Sequence, residues 1–436
     1  CSCENNITHT HTHIHTHTHT HTTGTIQRCL PWEDRKKVAV QVLSRTLESH
    51  ESEPVSTPKQ ITTLLTFAMP LVTDEDDAPG DQSTKSSSFA KEQAMIAKLV
   101  QSLDNDDLAV LFKMYHLARK AFGKGGKTRI KYTLVRSFFF IYSEYSTYTT
   151  IIPLEQVPLV FAILKLVNRV CDAGSQSGVK LKKLFQFVHD TIIGLASIYP
   201  DISVRLFLHA SLAADTLAGK AGEKGGVYSA IAYEFVVQAL IVYEEMANSK
   251  QKKRAINEII ASLYQCVNFT EEEYENLVTR VTQHAAKLIK KPDQCEMVQL
   301  CCHLFWTSDE SKKKKYEDTS RVLACLQRCL KIADKCMGDH TDLFVNILNS
   351  YLYFYQKKCP TIKSDYISGL VKLIKANHNN DDEDEAEEED AFSSSSNAAD
   401  AKQKKMTEKY FRNTMNHIRN LQQDDATAEA FSGLKL

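Results

Sequence analysis

The stretch KKPDQCEMVQLCCHLFW (290–306) decides the fold class of this chain. Pro292 suits the first turn of a helix, where its missing N–H costs no hydrogen bond, so we predict a helix that begins there. At ~100° per residue, most of its side chains form one apolar arc. The arc consists of Cys295, Met297, Val298, Cys301, Cys302, Leu304 and Phe305. A helix this widely apolar must pack on more than one side, which predicts a helix in the middle of a stack.

A narrow polar window on the same helix is formed by Glu296, Gln299 and His303, with Trp306 at its edge. Two interpretations stay open. The window is either a strip that faces solvent beside a half-buried tryptophan, or a surface that faces a partner. The interpretation as a partner-facing surface is supported because protein interfaces favour aromatic anchors beside desolvated polar groups.

Composition limits the possible functions. The chain has 436 residues, of which 43% are hydrophobic and 25% charged, with a formal net charge of −1. The balanced charge argues against nucleic-acid binding, which needs a basic surplus. We find no run of ~18 apolar residues without charges, so no membrane span is predicted. The chain begins with Cys1 and shows no signal peptide, which we interpret as a fragment or a mis-assembled coding sequence.

The cysteines suggest a zinc site at first sight, because six of the twelve lie between residues 295 and 336. No CxxC pair occurs there, and most of these thiols lie on apolar helical arcs, where cysteine acts as a small hydrophobic residue. We therefore predict no metal and no cofactor, and a reducing compartment.

Residues 1–29 carry the repeat THTHTHIHTHTHTHTT. Alternating histidines can chelate a transition metal loosely. The DNA repeat CACACA also encodes Thr-His without limit, and we favour this interpretation, which predicts a disordered leader without function.

Residues 30–378 have the pattern of an all-α protein, with amphipathic helices, short connections and capping boxes at Thr57 to Gln60 and Thr270 to Glu273. A helix pair recurs about every 45 residues, which fits a HEAT-like or armadillo-like α-solenoid of antiparallel helix pairs. The predicted helices lie near 31–50, 58–72, 90–103, 106–121, 158–172, 178–198, 201–217, 227–247, 251–267, 271–290, 292–307, 315–337, 341–357 and 361–377.

Two segments interrupt this pattern. AFGKGGKT (121–128) fits a loose phosphate-loop pattern ending in Gly126, Lys127 and Thr128, but a helical segment precedes it where a phosphate loop needs a strand. We interpret its glycines as a helix stop. Residues 135–156 are rich in Phe, Tyr and Thr and are bounded by Val135 and Gln156, whose codons fit the GT and AG ends of an intron. We predict a retained intron there.

The carboxy-terminal part begins with DDEDEAEEED and a serine run. Such composition predicts a disordered acidic linker over 379–402. A terminal helix over 403–422 and a tail over 423–436 follow. We find no spacing typical of a hydrolase triad, a metalloprotease or a dinucleotide loop. Because solenoids present extended surfaces that bind proteins, the sequence predicts a non-enzymatic interaction scaffold.

Several motifs, in collinear order, resemble the large α-solenoid subunit of retromer, the vacuolar-protein-sorting-35 family. They are KKPDQC…CCHLFW (290–306), LFVNILNSYLYFY (343–355), RLFLHASLAA (205–214), IAYEFVVQAL (231–240), and ARKAFGKGGKTRIKYTL (118–134) followed by VPLVFAILKLVNRV (157–170). The resemblance covers about Leu30 to Leu436 and corresponds to the carboxy-terminal half of that subunit. It departs at the Thr-His leader, the 135–156 insert and the unusually charged linker.

The resemblance implies a scaffold whose concave groove binds the metallophosphoesterase-fold subunit of retromer. It also implies peripheral association with the cytosolic face of endosomes, where the complex recycles cargo to the Golgi or plasma membrane. Other retromer subunits and sorting nexins are implied partners of the full-length protein, but binding of the arrestin-fold subunit is not, because its docking motif has no counterpart here. The alternatives are another α-solenoid adaptor, importin-like or phosphatase-scaffold-like, and a phosphate-loop nucleotide binder.

The resemblance also selects the candidate contact residues. His303 is the first choice, whereas Phe305 on the apolar arc is expected to belong to the core. The predicted partner-binding residues are His303, Trp306, Gln299, Leu304, Lys290, Lys291, Pro292, Asp293 and Gln294.

Overall fold

The fold is all-α in the part of the chain that the computed structural model describes, which comprises residues 30–49, 54–73, 87–124, 159–222, 225–306, 316–336, 341–385, 396–424 and 427–434. Those residues contain two isolated β-bridges, Val55 to Leu103 and Trp306 to Glu317, and otherwise form helices and their connections. The chain divides into two compact units, residues 1–202 and 203–436.

The first unit consists of sequential helices that pack on their neighbours. They are α1 (Trp32–Glu48), α2 (Pro58–Phe67), α3 (Met69–Val72), α4 (Ser87–Gln101), α5 (Leu108–Phe122), α6 (Leu159–Ala173) and α7 (Leu181–Ala196). Helix α2 packs on α5, α5 on α6, and α6 on α7. Arg119 of α5 ties this stack together, since its guanidinium lies 3.9 Å from the ring centroid of Phe187 and donates to Thr191 Oγ1 at 3.3 Å.

The second unit continues the pattern. The boundary between the units, after Ile202, falls in the first turn of helix α8 (Pro200–Lys220). The helices after it are α9 (Gly225–Glu245), α10 (Ser249–Gln265), α11 (Glu271–Ala285), α12 (Lys291–Phe305), α13 (Thr319–Asp334), α14 (Thr341–Gln356), α15 (Ser364–Glu385), α16 (Ser396–Gln423) and α17 (Ala428–Phe431). Each helix from α9 to α14 packs on the next, and α14 also contacts α15 and α16. This order confirms the predicted all-α class of the solenoid type.

Helix α9 is long and apolar enough to cross a membrane by length and composition alone, with a mean hydropathy of 1.5. Part of its apolar surface packs in the protein core, while Val227 and Ile241 are exposed. Phe235 lies 6.1 Å from Phe207 of α8, centroid to centroid, and Ser211 Oγ of α8 donates to the carbonyl of Ala232 at 2.9 Å.

Both predicted capping boxes are confirmed, at Thr57 with Gln60 and at Thr270 with Glu273. The continuous helix predicted through residue 72 is wrong, because it breaks at Ala68 into α2 and α3. Pro70 explains the break, since proline has no N–H to donate and its ring clashes with the carbonyl four residues earlier.

The carboxy-terminal helix bounds also differ from the prediction. Helix α15 continues to Glu385 and α16 begins at Ser396, so both reach into the 379–402 segment expected to be a linker. Helix propensity does not account for the extension of α15, because its residues there are mainly Asn and Asp, which favour helices weakly. Residues 386–395 lie outside the described residues, as do the 1–29 leader and the 135–156 insert.

Within AFGKGGKT (121–128), whose glycines we interpreted as a helix stop, α5 ends at Phe122 and Gly123 caps it. The helix stop is therefore confirmed at Gly123. Gly126, Lys127 and Thr128 lie outside the described residues.

Candidate docking surface on helix α12

Helix α12 has the central position that its apolar arc predicts. Its helical residues begin at Lys291, one residue before Pro292, and the arc from Cys295 to Phe305 is buried. It packs against α10, α11, α13 and α14. The prediction of a helix packed on more than one side is thus confirmed.

The polar window on α12 is partly covered by α14. Gln299 Nε2 donates to the carbonyl of Asn346 at 2.9 Å and to Ser350 Oγ at 2.6 Å. Glu296, one turn earlier, is exposed and pairs with Lys253 of α10 at 2.6 Å. The window therefore joins α12 to two neighbouring helices and is neither fully solvated nor free of internal partners.

His303 is half-buried against aromatic side chains of α14. Its ring centroid lies 4.9 Å from that of Tyr353 and 5.2 Å from that of Phe354. Burial lowers the pKa of the imidazole below its usual value, because a charged ring loses solvation there. His303 therefore presents a neutral ring at neutral pH.

Leu304 and Trp306 lie inside the fold. Leu304 is fully buried, and its carbonyl accepts a hydrogen bond from the Tyr274 hydroxyl of α11 at 2.8 Å. Trp306 is 7% exposed, and its indole Nε1 has no hydrogen-bond partner among the described residues. These two side chains can affect a partner only by holding the end of α12 in place.

The first turn of α12 is the accessible part of the predicted site. Lys290 and Lys291 are exposed, and Ile289 just before them exposes 76% of its surface. A single exposed apolar side chain is normal on a protein surface, so Ile289 marks this turn as accessible and does not by itself mark a binding site. Pro292, in the same turn, is half-buried.

Internal contacts fix the shape of this turn. Gln294 is buried and donates from its amide to the carbonyl of Leu288, while Lys291 Nζ donates to Gln294 Oε1 at 3.3 Å. Asp293 pairs with Lys253 of α10 at 2.8 Å. Burial lowers the pKa of Lys253, but its hydrogen bonds to Asp293 and Glu296 outweigh this effect and leave that pKa raised. Lys253 is thus held charged between two carboxylates.

Comparison with known proteins gives the family of the chain. Residues 5–377 match the sequence profile described as vacuolar protein sorting-associated protein 35. The chain belongs to the vacuolar protein sorting-associated protein 35 family. The similar proteins include protein 35A of Arabidopsis thaliana, 33% identical over 78% of this chain and 41% of that protein. The Dictyostelium discoideum protein is 29% identical over 80% of this chain and 42% of that protein. The Schizosaccharomyces pombe protein is 31% identical over 65% of this chain and 31% of that protein.

The chain thus spans about two fifths of the length of the first two of these vacuolar protein sorting-associated protein 35 relatives. Within the described residues, no group of three or more His, Cys, Asp or Glu side chains is arranged to hold a metal ion. Helix α12 thus begins with an accessible turn that exposes Lys290, Lys291 and Ile289.

Sequence reasoning missed the residues on other helices that hold the two ends of α12. Lys253 on α10 and Tyr274 on α11 contact α12 from 40 and 30 residues away in sequence, respectively, when measured to Asp293 and Leu304. No local pattern marks such contacts.

Proposed function

We propose that this vacuolar protein sorting-associated protein 35 family chain is a non-enzymatic scaffold of the retromer core. In this proposal its second unit binds the metallophosphoesterase-fold subunit. The complex then supports recycling of cargo from endosomes to the Golgi or plasma membrane, at the cytosolic face of endosomes. Family membership over residues 5–377 is the observation that carries the proposal.

The surroundings of α12 support two different roles among the predicted contact residues, direct contact with the partner and structural support of the helix. We assign direct contact to the exposed Lys290 and Lys291, with Pro292 and the neighbouring Ile289 beside them. Lysines at the rim of an interface steer association, and an exposed apolar side chain supplies contact area.

The remaining predicted residues act as supports in this proposal. Gln294 and Asp293 fix the first turn, and Gln299 and His303 join α12 to α14. Leu304 and Trp306 anchor the end of the helix inside the core.

The proposal is tested by mixing the purified chain with the metallophosphoesterase-fold retromer subunit of the same organism and separating the mixture by size-exclusion chromatography with light scattering. We expect a one-to-one complex. A chain that is folded by circular dichroism and elutes alone at micromolar concentrations of both proteins contradicts the proposal.

A further inference from the structure

Two helix connections lie side by side in the second unit, the one between α9 and α10 (246–248) and the one between α11 and α12 (286–290). The first turns of α10 and α12 meet there, because Lys253 Nζ lies 2.8 Å from Asp293 Oδ1 and 2.6 Å from Glu296 Oε2. Helices α10 and α12 therefore begin at the same edge of the unit.

The last turns of α9 and α11 meet at the same edge. Glu244 Oε1 lies 3.4 Å from a guanidinium nitrogen of Arg280 and 3.1 Å from His284 Nε2. Lys252 Nζ of α10 donates to the carbonyl of Glu244 at 3.3 Å, which ties the start of α10 to the end of α9. Short polar contacts thus hold four helix ends together, so the backbones of the two connections keep a fixed spacing.

Four lysines of these turns are exposed, namely Lys250, Lys287, Lys290 and Lys291. We call this set the basic edge. None of the four forms an ion pair with a residue that the structure describes, and Lys291 donates to the neutral amide of Gln294 at 3.3 Å. Their positive charges are therefore not compensated inside the protein.

The carboxylates of the same turns are mostly paired already. Within residues 244–254 and 280–296, Glu244, Asp293 and Glu296 each contact a cationic side chain. Glu245 is exposed and has no ion pair with any described residue. The basic edge thus presents four uncompensated lysines beside one uncompensated carboxylate.

A fixed group of like charges has two physical consequences. It attracts an oppositely charged surface before contact, and the amino ends of α10 and α12 add the positive ends of two helix dipoles. Charges at the rim of an interface mainly change the rate of association. Lys250 and Lys287 also continue the surface of Lys290 and Lys291, so a partner on the first turn of α12 reaches them next.

We propose that the basic edge binds an acidic surface patch of the metallophosphoesterase-fold subunit, with Lys250 and Lys287 as contact residues beyond the first turn of α12. The inference rests on the proposed function and names the chemistry of the partner's surface. It extends the docking surface from one helix to two neighbouring connections.

The first test uses Lys250→Glu plus Lys287→Glu, the edge variant. Biolayer interferometry measures its association with the immobilised subunit at about 50 mM and about 500 mM sodium chloride. At the lower salt concentration we expect association about 10-fold slower than for the wild type. The difference should shrink at the higher concentration, because salt screens exposed charges. The dissociation rate should change less.

The control variant is Lys405→Glu plus Lys409→Glu on α16, which changes the net charge by the same amount at exposed lysines. It should associate like the wild type, and circular dichroism checks that both variants are folded. Equal association rates of all three proteins at low salt overturn the inference and leave the proposed function standing. A folded wild type that does not bind the subunit at either salt concentration overturns both.

Carbodiimide crosslinking of the complex identifies the groups that meet, because it joins an amine directly to a carboxylate. We expect mass spectrometry to find Lys250 or Lys287 bonded to Asp or Glu of the subunit. A complex crosslinked only through lysines outside the basic edge contradicts the inference.

An anionic lipid surface is the other occupant that a basic edge fits, and cosedimentation with vesicles of phosphatidylcholine and phosphatidylserine tests it. We expect the wild type and the edge variant to sediment equally. Vesicle binding that the edge variant loses, together with unchanged association with the subunit, assigns the basic edge to lipid and overturns the inference.

Discussion

At the scale of single residues, His303 is a predicted contact residue that also packs between two helices. The motif around it suggested a contact residue, and the structure puts its ring against Tyr353 and Phe354 of α14. A substitution there changes the packing of two helices before it changes any external surface. Binding assays on this residue therefore need a measurement of unfolding beside them.

The pH dependence of stability should reveal the buried state of His303. Burial lowers its folded-state pKa, while the unfolded chain has a pKa of about 6.5. The unfolded state therefore binds the proton more readily. The stabilising effect of the neutral ring is complete above the unfolded pKa, and it is lost as the pH falls from there through the folded pKa.

We expect His303→Phe, which keeps an aromatic ring but cannot take a proton, to lose less stability than the wild type between pH about 7.5 and about 5.5. Urea unfolding at both pH values measures the difference. The variant keeps part of the dependence, because burial also lowers the pKa of His209 and His284. An equal loss in both proteins contradicts this prediction.

Tyr274 carries a second residue-scale prediction. Its buried hydroxyl donates to the carbonyl of Leu304 near the end of α12, where no further helical N–H can reach. We expect Tyr274→Phe to lower the free energy of unfolding by about 1–3 kcal/mol, because a buried carbonyl then lacks a donor. The exposed Tyr410, changed to Phe, is the control and should have little effect in the same urea titration.

At the scale of helices, local sequence patterns predicted where a helix begins better than where it is interrupted. Thr270 and Glu273 give a capping box because each side chain accepts from the other's backbone N–H, an interaction within four consecutive residues. The break at Ala68 was missed because the apolar pattern runs across it, although Pro70 provided the signal. Contacts such as Gln299 with Asn346 could not be predicted, since they depend on which helices become neighbours.

The capping box of α11 permits a prediction at this scale. Thr270→Ala removes the side-chain acceptor for the Glu273 N–H and should cost about 1 kcal/mol of unfolding free energy. Thr270→Ser keeps a hydroxyl and should retain most of the stability. Chemical unfolding followed by circular dichroism measures both variants, and an equal cost for the two contradicts a capping role.

At the scale of the whole chain, periodicity predicted the class, and a few motifs predicted the family. Repeated amphipathic helices with short connections can only bury their apolar faces against one another, and this fixed the all-α solenoid class. The division after Ile202 could not be predicted, because helix α8 runs across it without any change in composition. The candidate site was found from one stretch, 290–306, and its supports came from helices α10, α11 and α14.

We propose that the exposed first turn of α12 docks the metallophosphoesterase-fold subunit. Isothermal titration calorimetry with that subunit tests this docking. Three proteins are compared: the wild type, the α12 variant Lys290→Glu plus Lys291→Glu, and the control variant Lys405→Glu plus Lys409→Glu on α16. Both double variants change the same amount of charge at exposed lysines.

We expect the α12 variant to bind at least ~10-fold more weakly, ~1.4 kcal/mol, and the α16 variant to bind like the wild type. Equal affinity of all three proteins, each with an unchanged unfolding midpoint, would contradict the assignment of this turn as the docking surface.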